Sequence, residues 1–356
     1  MRKPFIIAEI GTSHQGDRQK ARDLIDAAAA SGADCVKFQM VYADEILHPN
    51  TGTVALPGGN IRLYDRFKAL EMPPDFFADL KEYAEALGLD FLCTPFGLRS
   101  ARELRALGPR AFKIASPELN HEALLREVAS YGLPVYLSTG VSKLGDIEEA
   151  LENLRGAPVC LLHCVTSYPA PPEECNLMLM RNLGAVFGVP TGFSDHTLDP
   201  QLAPLLASGL GAAAVEKHFC LSRADSGLDD PIALPPALFA EMARGIRRAA
   251  LRPFEETRAE LAEARGETAV AAVLGDGVKR LAASEEASYG RTNRSLHALC
   301  AIPAGTVMTP EAVAPLRTEK RLRPGLPPSW FSKIMGKTAK NTIPAGEGIR
   351  FEDIFT

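Results

Sequence analysis

Short apolar runs bounded by Gly, Pro or Asp recur along the first two thirds of the chain. They fall at 5–11, 33–39, 89–94, 111–116, 134–139, 158–164, 189–194 and 213–219, and their composition and length predict eight strands. Between them, stretches such as 20–31, 74–87, 121–131 and 143–154 repeat apolar residues at helical spacing, and 238–250 supplies a last outer helix. Eightfold strand–helix alternation predicts a parallel α/β barrel of the (β/α)8, or TIM, class. The segment 40–73, with Pro57-Gly58-Gly59-Asn60, is too long for a simple connector and reads as a functional loop.

Strands buried in a barrel should be almost wholly apolar, yet these carry polar exceptions late in each run. They are Glu9; Lys37 and Gln39; Thr94; Lys113 and Ser116; Ser138 and Thr139; His163; Ser194, Asp195 and His196; and Glu216, Lys217 and His218. The C-terminal ends of barrel strands share one mouth, where catalytic groups sit. Two desolvated lysines, Lys37 and Lys113, call for an anionic ligand. The hydroxyls of Thr94, Ser116, Ser138, Thr139 and Ser194, with the backbone of Ser138-Thr139-Gly140, form a candidate phosphate cradle. His196 and His218 follow neighbouring strands and are placed to share a divalent ion. Taken alone they serve equally well as structural histidines, since no zinc-type motif accompanies them.

The chain has 356 residues, 46% hydrophobic and 23% charged, with a formal net charge of −5. That length allows a large domain plus a small one, and the charge argues against nucleic acid as a partner. The opening residues run straight into a strand rather than a signal peptide, and no apolar run reaches membrane-spanning length. The expectation is a cytoplasmic protein without membrane association. Seven cysteines without paired spacing read mainly as small hydrophobes.

The tail differs. Ala301-Ile302-Pro303-Ala304-Gly305 returns as Thr342-Ile343-Pro344-Ala345-Gly346, and each is followed further on by an acidic and an apolar residue, in Pro310-Glu311-Ala312-Val313 and Glu352-Asp353-Ile354. This internal repeat predicts a small β-rich module. The expected division is a barrel at 1–265, a linker at 266–290 and the small domain at 291–356.

Together, Ala8-Glu9-Ile10-Gly11 with His14 and Gly16, Val36-Lys37-Phe38-Gln39, Cys93-Thr94-Pro95-Phe96, Lys113-Ile114-Ala115-Ser116, Leu137-Ser138-Thr139-Gly140, His163-Cys164 with Tyr168-Pro169-Ala170-Pro171, Gly192-Phe193-Ser194-Asp195-His196-Thr197 and Glu216-Lys217-His218-Phe219 resemble the sialic acid synthase family. The tail resembles its antifreeze-like, or SAF, domain of the β-clip type. The resemblance implies condensation of phosphoenolpyruvate with an N-acyl amino sugar, N-acetylmannosamine or a related hexose, to give a sialic acid-type nonulosonate and inorganic phosphate. It assigns phosphoenolpyruvate to Lys37, Thr94, Lys113, Ser116, Ser138 and Ser194, and the sugar to Glu9, Gln39, Asn60, Tyr168, Asp229 and Arg323. Manganese or magnesium is assigned to His196 and His218, and the chemistry to Glu118, Glu9 and Lys37, with Glu118 as the proton-transfer group. It also implies a domain-swapped homodimer in which Arg323 reaches the other subunit's sugar. From composition alone, Glu118 reads as a salt-bridge partner of a nearby lysine and Arg323 as part of a solvated basic turn. Two rival functions stand beside this one: a metal-independent Schiff-base aldolase using Lys37 or Lys113, and a non-catalytic sugar-binding protein.

Overall fold

The apolar runs form eight parallel strands: β1 (Phe5–Gly11), β2 (Cys35–Met40), β3 (Asp90–Pro95), β4 (Phe112–Ile114), β5 (Val135–Ser138), β6 (Val159–His163), β7 (Thr191–Asp195) and β8 (Ala214–His218). This computed structural model describes residues 3–56 and 59–355. The hydrogen-bonded order is β3-β2-β1-β8-β7-β6-β5-β4, with β3 and β4 adjacent, so the sheet is a nearly closed barrel. Register brings the strand ends level: Glu9 lies opposite both Lys37 and His218, Gln39 opposite Thr94, and Glu216 opposite Ser194. Gly192 makes one close approach possible, because a Cβ there would stand 2.4 Å from the Ala214 carbonyl oxygen on the next strand.

The outer helices follow their periodicity. Arg18–Ala30 starts at Asp17, whose carboxylate accepts from the N–H groups of Gln19 and Lys20, and it buries Ala21, Leu24, Ile25 and Ala28 against the barrel. Pro236–Ala249 buries Phe239, Met242, Ala243 and Ile246 along one stripe. Each large apolar side chain so buried contributes about 1.5–3 kcal/mol. The barrel's packed body runs past the expected boundary at 265. Helix Glu267–Leu274 places Val270 and Val273 in the main core. No helix among the described residues is long and apolar enough to cross a membrane.

Successive strand residues point to opposite sides, which separates the polar exceptions into two sets. Glu216 and His218 face the barrel axis. Lys217, between them, faces the other way and donates to Asp195 at 2.6 Å, with both side chains fully buried. Lys217→Met strands the Asp195 carboxylate and is expected to cost about 3 kcal/mol of stability. Chemical denaturation checks this: a loss below about 1 kcal/mol contradicts it, and adding Asp195→Asn should restore much of the loss.

In the small domain, β9 (Arg294–Ala298) pairs antiparallel with β10 (Val313–Arg317). The two copies of the repeat meet each other, because Ile302 and Ile343 exchange backbone hydrogen bonds at 2.9 Å. Their side chains join Leu296, Met308, Val313, Ile334 and Ile349 in a core of their own. The domain docks on its own barrel: Asn120 exchanges hydrogen bonds with the Arg294 backbone at 2.8 and 3.0 Å, and Asn50 donates to the Ala345 carbonyl at 3.0 Å.

Candidate active site

At the C-terminal mouth of the barrel, one small cavity is lined by Glu9, Lys37, Gln39, Thr94, Lys113, Ser116, Ser138, Tyr168, Ser194, His196, Glu216 and His218. The Lys37 ammonium lies 2.7 Å from Glu9 Oε2 and 3.7 Å from Glu216 Oε2. It also donates to Thr94 Oγ1 at 3.4 Å. Gln39 donates to the other Glu9 oxygen at 2.6 Å. Across the cavity Lys113 donates to Ser138 Oγ at 2.6 Å and Ser194 donates to Glu216 Oε1 at 2.9 Å.

Burial and charge divide the two lysines. Burial alone would lower Lys37, but Glu216 and Glu9 outweigh it and hold its pKa above the ordinary lysine value. Burial dominates at Lys113, which lies below that value despite Glu216. Glu216 is depressed because Lys113, Lys37 and the Ser194 hydroxyl overcome its desolvation. Two basic and two acidic side chains therefore share one buried mouth, where Oε2 of Glu9 and of Glu216 accepts no well-aligned hydrogen bond.

The imidazoles of His196 and His218 lie with ring centroids 5.5 Å apart, and Tyr168 stacks on His196 at 4.4 Å. Burial lowers them to about 3 and about 4, so both are neutral near pH 7. His196 Nδ1 lies 2.6 Å from the Val165 carbonyl oxygen, so that nitrogen carries the proton and Nε2 keeps its lone pair. Asp229, on the rim, lies 3.8 Å from His218 Nδ1. Burial, then the neighbouring Asp230, pushes its carboxyl up to about 6.

Three expected site residues lie elsewhere. Asn60 is exposed in the hairpin Thr53–Leu56/Gly59–Arg62; Pro57 and Gly58 of the expected functional loop lie outside the described residues. Glu118 is fully buried away from the cavity, and its partners are arginines from the small domain rather than a nearby lysine. Its Oε1 accepts from Arg294 at 2.8 Å and Arg317 at 2.7 Å. In the single chain it ties the barrel to the small domain through both arginines. Arg323 is held within the small domain by Asp353 at 2.6 Å and the Gly348 carbonyl at 2.9 Å. Glu216, to which the resemblance assigns no role, also lines the cavity, and its two-residue offset from His218 along the strand is the sequence signal for it. A larger cavity of about 570 Å³, between barrel and small domain, is lined mostly by apolar residues and lacks such a cluster.

Residues 24–253 match the NeuB family and residues 293–354 match the SAF domain. The chain is 34% identical to the N,N'-diacetyllegionaminic acid synthase of Campylobacter jejuni over 98% of this chain and 100% of that one. Among solved structures it resembles the spore coat polysaccharide biosynthesis protein SpsE of Bacillus subtilis. That match has 36% identity and a TM-score of 0.83, over 99% of this chain and 95% of that one. The N-acetylneuraminic acid synthetase of Leptospira borgpetersenii, solved with citrate, matches at 31% identity and a TM-score of 0.65, over 74% and 93% of the two chains.

Proposed function

The chain belongs to the NeuB family, the sialic acid synthases, and from that premise we propose that it condenses phosphoenolpyruvate with an N-acyl amino sugar in its open-chain aldehyde form. The observation that carries this reading is the buried pairing of Lys37 and Lys113 with a ring of hydroxyls at one mouth. Ammonium groups and hydroxyls recognise a phosphate and a carboxylate on one small molecule. Carbon–carbon bond formation joins the methylene carbon of phosphoenolpyruvate to the aldehyde carbon. Water then adds at the adjacent cationic carbon, and inorganic phosphate leaves by carbon–oxygen cleavage. Lys37 and Lys113 hold the enol's anionic groups, Ser116, Ser138, Ser194 and Thr94 orient them, and Glu9 and Asp229 are placed to take a proton from the attacking water and deliver one to the alkoxide formed from the aldehyde oxygen.

A divalent cation fits this donor set. The free Nε2 of His196 and the neutral His218 ring present lone pairs. Among the described residues no three His, Cys, Asp or Glu side chains are grouped to enclose an ion alone, so His196 and His218 as its ligands would leave positions for substrate oxygens. Bound there, manganese or magnesium would supply Lewis acidity toward the aldehyde oxygen. The proposal also keeps the enzyme in the cytoplasm as a homodimer, with Arg323 available to a partner's sugar if the small domains exchange.

The test is phosphate release from phosphoenolpyruvate with N-acetylmannosamine, its 6-phosphate and a doubly N-acetylated hexose in turn. Release with one sugar names the acceptor, and release with none overturns the reading. One observation favours the aldolase alternative: the depressed pKa of Lys113 is what an imine-forming lysine needs. Borohydride trapping of a pyruvate adduct on Lys113 would decide for it.

The pH profile follows from Asp229. As pH falls through about 6 its carboxylate takes a proton, while His196 and His218 stay neutral until about pH 4 and below. The acid limb of kcat/KM should therefore bend near pH 6, and Asp229→Asn should remove that bend. An unchanged limb in the variant would assign it to another group.

A further inference from the structure

Val141 is β-branched and has φ of +40°, in the left-handed region that such residues avoid. Glu285, of the interdomain segment, and Asn293, at the start of the small domain, hold it there. Its N–H donates to Glu285 Oε1 at 2.7 Å, and its carbonyl accepts from Asn293 Nδ2 at 3.0 Å. The same Glu285 oxygen accepts from the Thr166 N–H at 2.7 Å. One carboxylate, 1% exposed, thus ties the loop after β5 to the loop after β6. The loops are already in contact range at this point, since a Cβ on Gly140 would stand 2.0 Å from Thr166 Oγ1. A third contact comes from Lys279, whose ammonium donates to the Thr139 carbonyl at 2.9 Å.

These loops carry the candidate phosphate cradle. Gly140 N–H donates to Ser116 Oγ at 3.0 Å and Ser138 Oγ accepts from Lys113, and both serines line the cavity while Glu285 and Asn293 do not. Strain held at such a position is retained only when surrounding contacts over-determine it. Asn293 immediately precedes Arg294, whose guanidinium anchors the small domain to Glu118, so the contacts on Val141 adjoin the interdomain anchor.

We propose that Glu285 and Asn293 are positioning residues for the phosphate end of the site, pinning the Val141 peptide from both sides so that Ser138, Thr139 and Gly140 stand where a phosphorylated enol requires them. The inference rests on the phosphoenolpyruvate reading above. Glu285→Ala should raise KM for phosphoenolpyruvate by about tenfold or more and leave kcat and the sugar's KM within about threefold. Glu285→Gln, which keeps an acceptor oxygen, should recover most of that loss, and Asn293→Ala should raise the same KM about threefold. Thermal unfolding identifies which variants fold, and Asn293→Ala decides alone if Glu285→Ala does not. An unchanged phosphoenolpyruvate KM in the folded variants, or an equal rise in both KM values, overturns the inference while wild-type turnover stands. Absence of phosphate release by the wild type with every sugar overturns instead the reading beneath it.

Discussion

Lys37→Met should lower kcat/KM for phosphoenolpyruvate by about a thousandfold, equivalent to about 4 kcal/mol. The ammonium lies 2.7 Å from Glu9 and 3.7 Å from Glu216, with all three side chains nearly fully buried. Methionine keeps most of the aliphatic stem and removes the charge. Glu9 and Glu216 are then left with Lys113 as the sole buried lysine of the cavity, so its formal balance moves from zero to −1. An anionic substrate now enters against net repulsion, and both carboxylates are driven toward protonation by desolvation. Steady-state kinetics beside thermal unfolding separates the two effects. Adding Glu9→Gln should recover stability, because a neutral amide no longer needs the ammonium, without recovering turnover. A loss below tenfold for Lys37→Met would remove this lysine from substrate recognition.

The barrel was legible because its physics is local. Parallel strands covered on both faces must be apolar, and the polar departures at their ends marked the mouth. Period-two alternation sharpens that signal. It distinguishes Glu216 and His218, on the cavity side, from Lys217, which pairs with Asp195 on the other. Glu118 shows where local reasoning ends: its partners Arg294 and Arg317 are 176 and 199 residues away, and no spacing rule reaches them. Glu285 and Asn293 lie in a stretch with neither helical nor strand periodicity, and their contact with Val141 follows from where the chain between barrel and small domain passes the loop after β5. Asn60 stood in a long loop, and which of its residues faces the cavity depends on the hairpin register, which the sequence leaves open.

Replacing both His196 and His218 with alanine should abolish turnover, a loss of at least about a thousandfold, and should abolish Mn²⁺ binding by the substrate-free protein. The charges at the mouth give the reason. Lys37 and Lys113 offset Glu9 and Glu216, while phosphoenolpyruvate brings about three further negative charges near neutral pH. The side chains alone leave that excess uncompensated in a buried site, and a divalent cation held by the two imidazoles would offset most of it. Both imidazoles are held neutral by burial, at about 3 and about 4, so above pH 5 protons do not compete for their lone pairs. The fold should tolerate the change, since what is lost is one hydrogen bond from His196 to Val165, worth about 1 kcal/mol, and stacking against Tyr168. Titration calorimetry with Mn²⁺ on the wild type and the double variant reads the site without reference to activity, and chelation followed by re-addition of Mn²⁺ or Mg²⁺ tests its part in turnover. Equal Mn²⁺ affinity in the two proteins, or full wild-type turnover after exhaustive chelation, would leave His196 and His218 as stacking and packing groups and return the problem of charge balance to the lysines alone.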